Sequence, residues 1–233
     1  MQRPSPPSSS AAELPRPRAA THDSLLDAAE ELFAEMGYHG ASVRDITSRA
    51  GTRLAAVNDA FGGKENLFRE VLLRRARPLA AARLAKLAAI DHQASPTDRV
   101  RHIVESFAEP MLGNALGDRG WTCYFRIVAQ LAHSAQPIQL IVAEEYNKLA
   151  EHFVSALGAV FPNTDSARRY DAYLFMLSLS LDVFSVDMRL DYLSGHTQHS
   201  NDLHRRYTHL MEFAVPGITR LLDIEPAGTA PEG

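Results

Sequence analysis

The stretch LLDAAEELFAEMGYHGASVRDITSRAGTRLAAVNDAFGGKENLFREVL, residues 25–72, decides the fold of this chain. Its apolar residues recur at the three- and four-residue spacing of amphipathic helices, and its glycines divide it into short segments. The first segment predicts a helix over residues 21–36. Thr21 is placed to cap the first turn of this helix, and Gly37 is placed to end it. The stretch is therefore predicted to begin with a helix.

Two short helices are predicted after that glycine, over residues 43–50 and 53–61. At the start of the first, Ser42 and Asp45 have the spacing of a capping box. Gly51, between the two helices, tolerates the positive φ angle that a tight turn requires. Small and apolar residues supply a face on which the helices pack: Val43, Ile46, Ala50, Leu54, Val57 and Phe61. The pair therefore indicates a helix-turn-helix, whose second helix enters the major groove of DNA.

The order of motifs in this stretch resembles the N-terminal pattern of the TetR/AcrR family of bacterial transcriptional regulators. The first helix ends in LFAEMGY, then SVRDI and AG follow, and FGGKENL comes last. Within the family, LAAVN followed by FGGKE is similar to the PsrA-like regulators of fatty-acid metabolism. The resemblance implies a regulator, acting as a repressor, that binds a near-palindromic DNA operator as a homodimer. It also implies release of the operator by a small hydrophobic effector.

A helix-turn-helix leaves the start and the outer side of its second helix free for base edges. With flanking polar and cationic groups, the predicted DNA-binding residues are Ser42, Arg44, Thr52, Arg53, Ala55, Ala56, Asn58 and Lys64. The chain departs from the PsrA-like pattern at Asp59 and Ala60, where that pattern has Tyr-His, and at Arg53, where it has Asn. The resemblance implies that a phosphate contact of the tyrosine is lost, whereas Arg53 is able to bind a guanine edge with two hydrogen bonds. We therefore expect an operator preference different from that of the subgroup.

The net charge of −4 excludes a protein that coats nucleic acid by bulk positive charge. The acidic residues of the N-terminal part cluster on the first helix: Asp23, Asp27, Glu30, Glu31 and Glu35. The cations expected near DNA lie in the short helices and just after them: Arg44, Arg49, Arg53 and Lys64. The charge balance is therefore compatible with a small DNA-binding face that is doubled in a dimer.

The remainder of the chain also predicts helices, which makes the fold all-α with about nine helices. Beyond residue 61 they are expected over residues 64–90, 96–112, 121–132, 138–161, 166–192 and 201–222, with prolines 78 and 216 bending the first and the last. The predicted division is a disordered tail over residues 1–20, a helix-turn-helix domain over 21–68, a ligand-binding and dimerisation domain over 69–223, and a loose tail over 224–233.

The resemblance assigns the last two long helices to a dimer interface and the middle helices to an effector cavity. The apolar stripe expected to serve dimerisation on the last helix is Leu203, Tyr207, Leu210, Met211, Ala214, Ile218 and Leu221. The predicted ligand-binding residues are Phe107, Met111, Phe125, Arg126, Gln130, Tyr146, Phe175 and Leu179, with His133 as a further polar candidate. Each of these residues also has a plainer interpretation as part of the helical core. A mostly apolar lining favours a fatty acid, an acyl-CoA or an aromatic compound.

Several other functions lack a pattern in the sequence. A single cysteine, Cys123, excludes a disulfide framework, and no nucleophile-elbow, P-loop or zinc-protease motif occurs, so no enzyme and no cofactor are predicted. The histidines at 196, 199, 204 and 209 leave a metal site open, with a solvated surface as the plainer interpretation. No secretory leader or membrane-spanning run is apparent, which predicts a cytoplasmic protein with no membrane partner. The alternative function is a helical small-molecule-binding protein with weakened or lost DNA binding.

Overall fold

A computed structural model describes residues 18–132 and 142–223, with side chains from residue 21 onward. In these ranges the chain forms ten helices and no strand, which confirms the all-α prediction. The helices are α1 (Arg18–Gly40), α2 (Val43–Arg49), α3 (Ala56–Phe61), α4 (Lys64–Leu87), α5 (Pro96–Gly117), α6 (Arg119–Ala132), α7 (Ala143–Val160), α8 (Ser166–Phe184), α9 (Arg189–Leu193) and α10 (Leu203–Leu222).

Side-chain caps fix the starts of several helices where the sequence predicted them. The Ser95 hydroxyl accepts a hydrogen bond from the Asp98 amide at 3.2 Å, with Pro96 in the first turn of α5. The Asp165 carboxylate accepts one from the Arg168 amide at 2.9 Å and so caps α8. These bonds satisfy amides that have no partner within the helix, which is why local sequence locates these ends well.

Several helices differ from their predicted extent, most clearly α1 and α8. Helix α1 already begins at Arg18, inside the predicted tail, and a left-handed Gly37 (φ 71°) interrupts it before Gly40. The helix predicted over 166–192 ends at Phe184, and the short α9 follows, which accounts for one helix more than expected. Residues 1–17, 133–141 and 224–233 lie outside the described residues, and with them most of both predicted tails.

The helices pack around a core that continues from the N-terminal helices into the larger C-terminal part. Helix α1 packs on α2, α4 and α6, whereas α5 packs on α4, α7 and α10, and α8 packs on α10, α6 and α7. The predicted domain boundary after Phe68 falls inside α4, which contacts helices on both sides of it. Helices α4 and α6 therefore belong to both parts, and the two-domain division stays a prediction.

A buried ionic cluster ties these parts together. The carboxylate of Glu30 on α1 accepts hydrogen bonds from Arg74 Nη2 at 2.9 Å and from Arg75 Nε at 2.6 Å, both on α4. Arg75 Nη1 also donates to Asp118, just before α6, at 3.1 Å. A Cβ atom on Gly120 would collide with the Arg75 guanidinium, so a larger residue at that position would displace it. The start of α6 is thus held against α1 through Glu30 and Arg75, which are largely removed from water, and through Asp118 at the surface.

None of the described helices is both long enough and apolar enough to cross a membrane.

Candidate functional site

The predicted capping box builds the first helix of the helix-turn-helix. The Asp45 amide donates to the Ser42 hydroxyl at 3.1 Å, and the Ser42 amide donates to Asp45 Oδ2 at 3.3 Å. The Ser42 hydroxyl also donates to Asp45 Oδ2, and this bond, followed by the one from the Ser42 amide, lowers the pKa of the Asp45 carboxyl. The Ser42 side chain predicted to contact DNA therefore serves as the cap of α2 and remains at the exposed surface.

The turn between the helices is closed by backbone hydrogen bonds around a left-handed glycine. Gly51 has a φ of 63°, and the Thr52 amide donates to the Thr47 carbonyl at 2.9 Å. The second helix, α3, starts at Ala56, so Arg53 lies in the turn that leads into it rather than inside the helix. The second helix is therefore three residues shorter than the sequence predicts.

Burial separates the predicted DNA-binding residues into two groups. Arg53, Ala55 and Asn58 are exposed, as is Arg44 on α2, and Thr52 is half-buried. Ala56 is buried against the core, so its place in the predicted set is corrected: it packs and does not face a base edge. The exposed Leu54, which was expected to pack between the two helices, lies on the outer surface instead.

The cations near this surface already have partners, with one exception. Arg53 Nη2 pairs with Asp59 Oδ2 at 2.7 Å, and the Lys64 ammonium lies 4.4 Å from the centre of the Tyr38 ring, where burial lowers its pKa. Arg49, expected near DNA, pairs instead with acidic residues of α1: Glu31 at 3.4 Å and Glu35 at 3.2 Å. Within the described ranges, Arg44 has no ion-pair partner.

A cavity of about 200 Å³ lies among α4, α5, α6, α7 and α8. Four of the predicted ligand-binding residues line it: Phe107, Met111, Phe125 and Tyr146. Leucine and valine side chains of α4, α6, α7 and α8, with Val142 just before α7, make much of the remaining wall. The cavity is thus mainly apolar, as the sequence predicted, although its polar groups differ from those expected.

Four predicted ligand-binding residues lie elsewhere, each for a visible reason. Arg126 Nη2 donates to the Val186 carbonyl at 3.2 Å, beyond the end of α8. Gln130 Nε2 donates to the Ala34 carbonyl of α1 at 3.1 Å. Phe175 is 55% exposed on the outer face of α8, and Leu179 lines a separate cavity of about 380 Å³ between α8, α9 and α10. His133 falls outside the described residues.

The charged group of the cavity is Arg83, which was not among the predicted ligand-binding residues. Its Nε donates to the Phe107 carbonyl at 2.9 Å, and its guanidinium carbon lies 3.6 Å from the centre of the Phe107 ring. Burial lowers the pKa of Arg83 to about 10, so the side chain is still cationic near pH 7. A signal existed, because Leu79, Arg83 and Leu87 recur every four residues and so share the buried face of α4.

Three tyrosines line the cavity with Arg83. The hydroxyls of Tyr124 and Tyr146 lie 3.2 Å apart, and Tyr173 completes the group. Burial raises the pKa of Tyr124, Tyr146 and Tyr173, so these phenols stay protonated and able to donate. Tyr124 and Tyr173 were also missed by the sequence analysis.

Two family models match the chain. One for bacterial regulatory proteins of the tetR family matches residues 25–71, and one for the tetracyclin repressor-like C-terminal domain matches residues 105–217. Together these matches cover more than half of the chain. The chain belongs to the TetR family of transcriptional regulators. Its helix-turn-helix and its larger helical part are thus the two parts of a TetR protein.

Curated relatives with a similar sequence are regulators rather than enzymes. The HTH-type transcriptional repressor ComR of Escherichia coli (strain K12) is 36% identical over 72 residues, which is 31% of this chain and 34% of ComR. The repressor AcnR of Corynebacterium glutamicum is 46% identical over 44 residues, 19% of this chain and 23% of AcnR. The matches therefore span about a third or less of these relatives.

Solved structures extend the similarity to the whole fold. The fatty acid degradation regulator FadR from Bacillus halodurans superposes with a TM-score of 0.58 at 14% identity, over 84% of this chain and 95% of that one. An identity this low shows a shared fold and no more.

The outer surface of this TetR fold carries an apolar face on α8 and α10. The stripe predicted for dimerisation on α10 packs inside the protein instead, since Leu210, Met211 and Ala214 are buried against α5 and α8. The exposed face of the two helices carries other large apolar side chains: Tyr170, Leu174, Phe175 and Phe213. Helix α10 has two apolar faces. The face with more apolar residues packs into the core of the monomer, and the other face is exposed.

The histidine-rich segment has a structural role. Asp191 of α9 is buried and accepts hydrogen bonds from the Ser200 amide at 2.8 Å and from the Ser200 hydroxyl. His199 Nδ1 lies 3.3 Å from the same carboxylate. The bonds from Ser200 lower the pKa of Asp191 to about 2. Among the residues that the structure describes, no group of three His, Cys, Asp or Glu side chains is able to hold a metal.

Proposed function

We propose that this TetR-family regulator is a cytoplasmic, ligand-responsive repressor. Two copies bind a near-palindromic operator, and a small hydrophobic effector in the cavity releases them. The names of ComR and AcnR as repressors support the direction of the response. The exposed edge formed by Arg44, Arg53, Ala55 and Asn58 supports major-groove binding, because such an edge offers donors and a small side chain to base edges.

The observation that carries this proposal is that α4 reaches both sites. It begins at Lys64, two residues after the Gly62 that ends α3, and it presents Leu79 and Arg83 to the cavity. Helix α6 makes a second connection, since Tyr124 and Phe125 line the cavity while Gln130 bonds to α1. An effector that displaces either helix therefore changes the position of the DNA-binding helices, which couples the two affinities.

The exposed apolar face of α8 and α10 supports the homodimer. Large apolar side chains are rarely grouped on the surface of a monomer unless they meet a partner, and Phe213 is 71% exposed there. Pro216 and Gly217 lie on the same exposed side of α10 and would permit close approach of a second helix. We expect Phe213→Glu to yield monomers by light scattering. The control Ala85→Glu, exposed on α4, should remain dimeric.

The apolar wall of the cavity supports a fatty-acid-like or aromatic effector. The resemblance of LAAVN and FGGKE to PsrA-like regulators points the same way. The small volume of about 200 Å³ favours a short or medium-length apolar body rather than a large one.

An operator-binding assay with DNA from upstream of the protein's own gene tests the proposal. Fluorescence anisotropy should show tight binding to that DNA, weaker binding to scrambled DNA, and loss of affinity as salt rises. Addition of the effector should weaken specific binding. Equal, weak affinity for both DNAs would instead support the alternative of a small-molecule-binding protein without DNA function.

A further inference from the structure

Arg83 is a buried cation for which the described residues supply no counter-ion. Its Nε is used by the Phe107 carbonyl, and the Phe107 ring covers one face of the guanidinium. No carboxylate within the described ranges forms an ion pair with Arg83, although acidic partners are found for most other arginines of the core. A buried charge is costly unless it is paired, so a lone guanidinium at a cavity wall indicates a place for an anion.

The surroundings of Arg83 suit a ligand that carries one negative charge on an otherwise apolar body. The phenols of Tyr124, Tyr146 and Tyr173 line the same cavity as Arg83, and each is a neutral hydrogen-bond donor. A guanidinium and several hydroxyl donors match the two oxygens of a carboxylate. Of the other lining residues only Asn147 is polar, and it is uncharged, so a second charge on the ligand would find no counter-charge in the described lining.

We infer that the effector is an apolar monocarboxylic acid whose carboxylate binds Arg83 and the tyrosine hydroxyls. This inference rests on the proposed function, because it identifies the chemical class of the effector. It selects among the candidates: a free fatty acid or an aromatic acid supplies the missing charge, whereas the thioester of an acyl-CoA has an uncharged carbonyl at the same position. A neutral aromatic compound would likewise leave Arg83 unpaired.

Direct binding measurements on DNA-free protein test this inference separately from operator binding. Octanoate and phenylacetate are compared with their primary amides, alcohols and amines by thermal shift and calorimetry. We expect at least one acid to raise Tm and to bind about 10- to 100-fold more tightly than its own amide, from a charge-assisted pair. Octanoyl-CoA should bind more weakly than octanoate.

Variants identify the residue that recognises the charge. Arg83→Met should abolish the preference for acid over amide while it preserves or raises Tm without ligand, because an apolar side chain replaces a buried charge. Arg83→Lys should retain part of the preference. Arg77→Met, on the exposed side of the same helix, serves as the matched control and should bind acids like the wild type.

Three results would overturn the inference: amides or amines that bind as well as the acids, no stabilisation by either acid, or an unchanged acid preference in Arg83→Met. The head-group comparison on the wild type holds even if a variant fails to fold. If the protein binds acids but no operator, the repressor function is disproved while the carboxylate site is supported.

Discussion

The DNA-binding end and the cavity end of this molecule differ in whether their charged side chains already have partners. At the DNA-binding end, Arg53 and Lys64 are near solvent and already have partners in Asp59 and Tyr38. At the cavity end, Arg83 is buried and has no acidic partner in the described part of the chain. The first end must exchange existing contacts when it binds DNA, whereas the second gains a contact that is missing. For the proposed repressor we therefore expect modest operator affinity and strong discrimination between effectors.

A substitution in the ionic cluster that links the two ends should have the largest effect on the unfolding free energy. Glu30→Ala removes the shared acid of Arg74 and Arg75, which then retain only Asp27 and Asp118. Loss of one partner from a buried ionic group costs about 3–5 kcal/mol. We expect Glu30→Ala to lower the unfolding free energy by about 3 kcal/mol. Urea denaturation at fixed protein concentration measures it.

The control for this variant is Glu31→Ala, one residue further along α1. Glu31 pairs with Arg49 at 3.4 Å at the surface, so its loss should cost under about 1 kcal/mol. Equal losses in the two variants would show that the buried cluster does not hold the ends together.

Arg53→Ala tests the base-reading role at the DNA-binding end. If Arg53 exchanges Asp59 for a guanine edge, the variant should lose about 1–3 kcal/mol of specific binding and tolerate substitution of one base pair. Competition anisotropy against single-base operator variants measures both. An operator profile identical to that of the wild type would remove Arg53 from the interface, and Arg77→Ala provides the charge-matched control.

Tyr124→Phe tests the donors at the cavity end. The variant loses a hydroxyl that lies 3.2 Å from Tyr146, so acid binding should weaken by about 0.5–1.5 kcal/mol, or roughly 2- to 10-fold. Calorimetry with octanoate measures it, and Tyr192→Phe, exposed on α9, is the control. Unchanged octanoate affinity would assign recognition to Arg83 alone.

The same contrast explains how much the sequence could predict. The capping box at Ser42, the turn at Gly51 and the caps of α5 and α8 depend on residues within a few positions of each other. Local hydrogen bonds decide these features, so their outcome is visible in the sequence. The apolar lining of the cavity was also predictable, because it comes from residues with helical periodicity.

The polar contacts were not predictable in this way because they join distant segments. Arg126 bonds to carbonyls that are exposed only where α8 breaks, and Gln130 bonds to α1, 96 residues earlier. Neither partner has a signature in the surrounding sequence. The two possible faces of α10 raise the same problem, since periodicity shows that a face is apolar but not whether the core or a second copy covers it.

The smallest expected effect comes from Asp59→Asn, which removes the partner of Arg53 without removing Arg53. Both residues are exposed, so the fold should be unaffected, with a change in unfolding free energy under about 1 kcal/mol. A freed guanidinium is expected to bind phosphate, which would make the slope of log K against log salt steeper by about one unit per subunit. Titrations on scrambled DNA at several salt concentrations measure this change, with Asp98→Asn at the distant start of α5 as the control. If the slope is the same in both variants, then the Arg53–Asp59 pair does not restrain DNA binding, and the contrast between a paired surface and an unpaired cavity loses its functional meaning at the DNA-binding end.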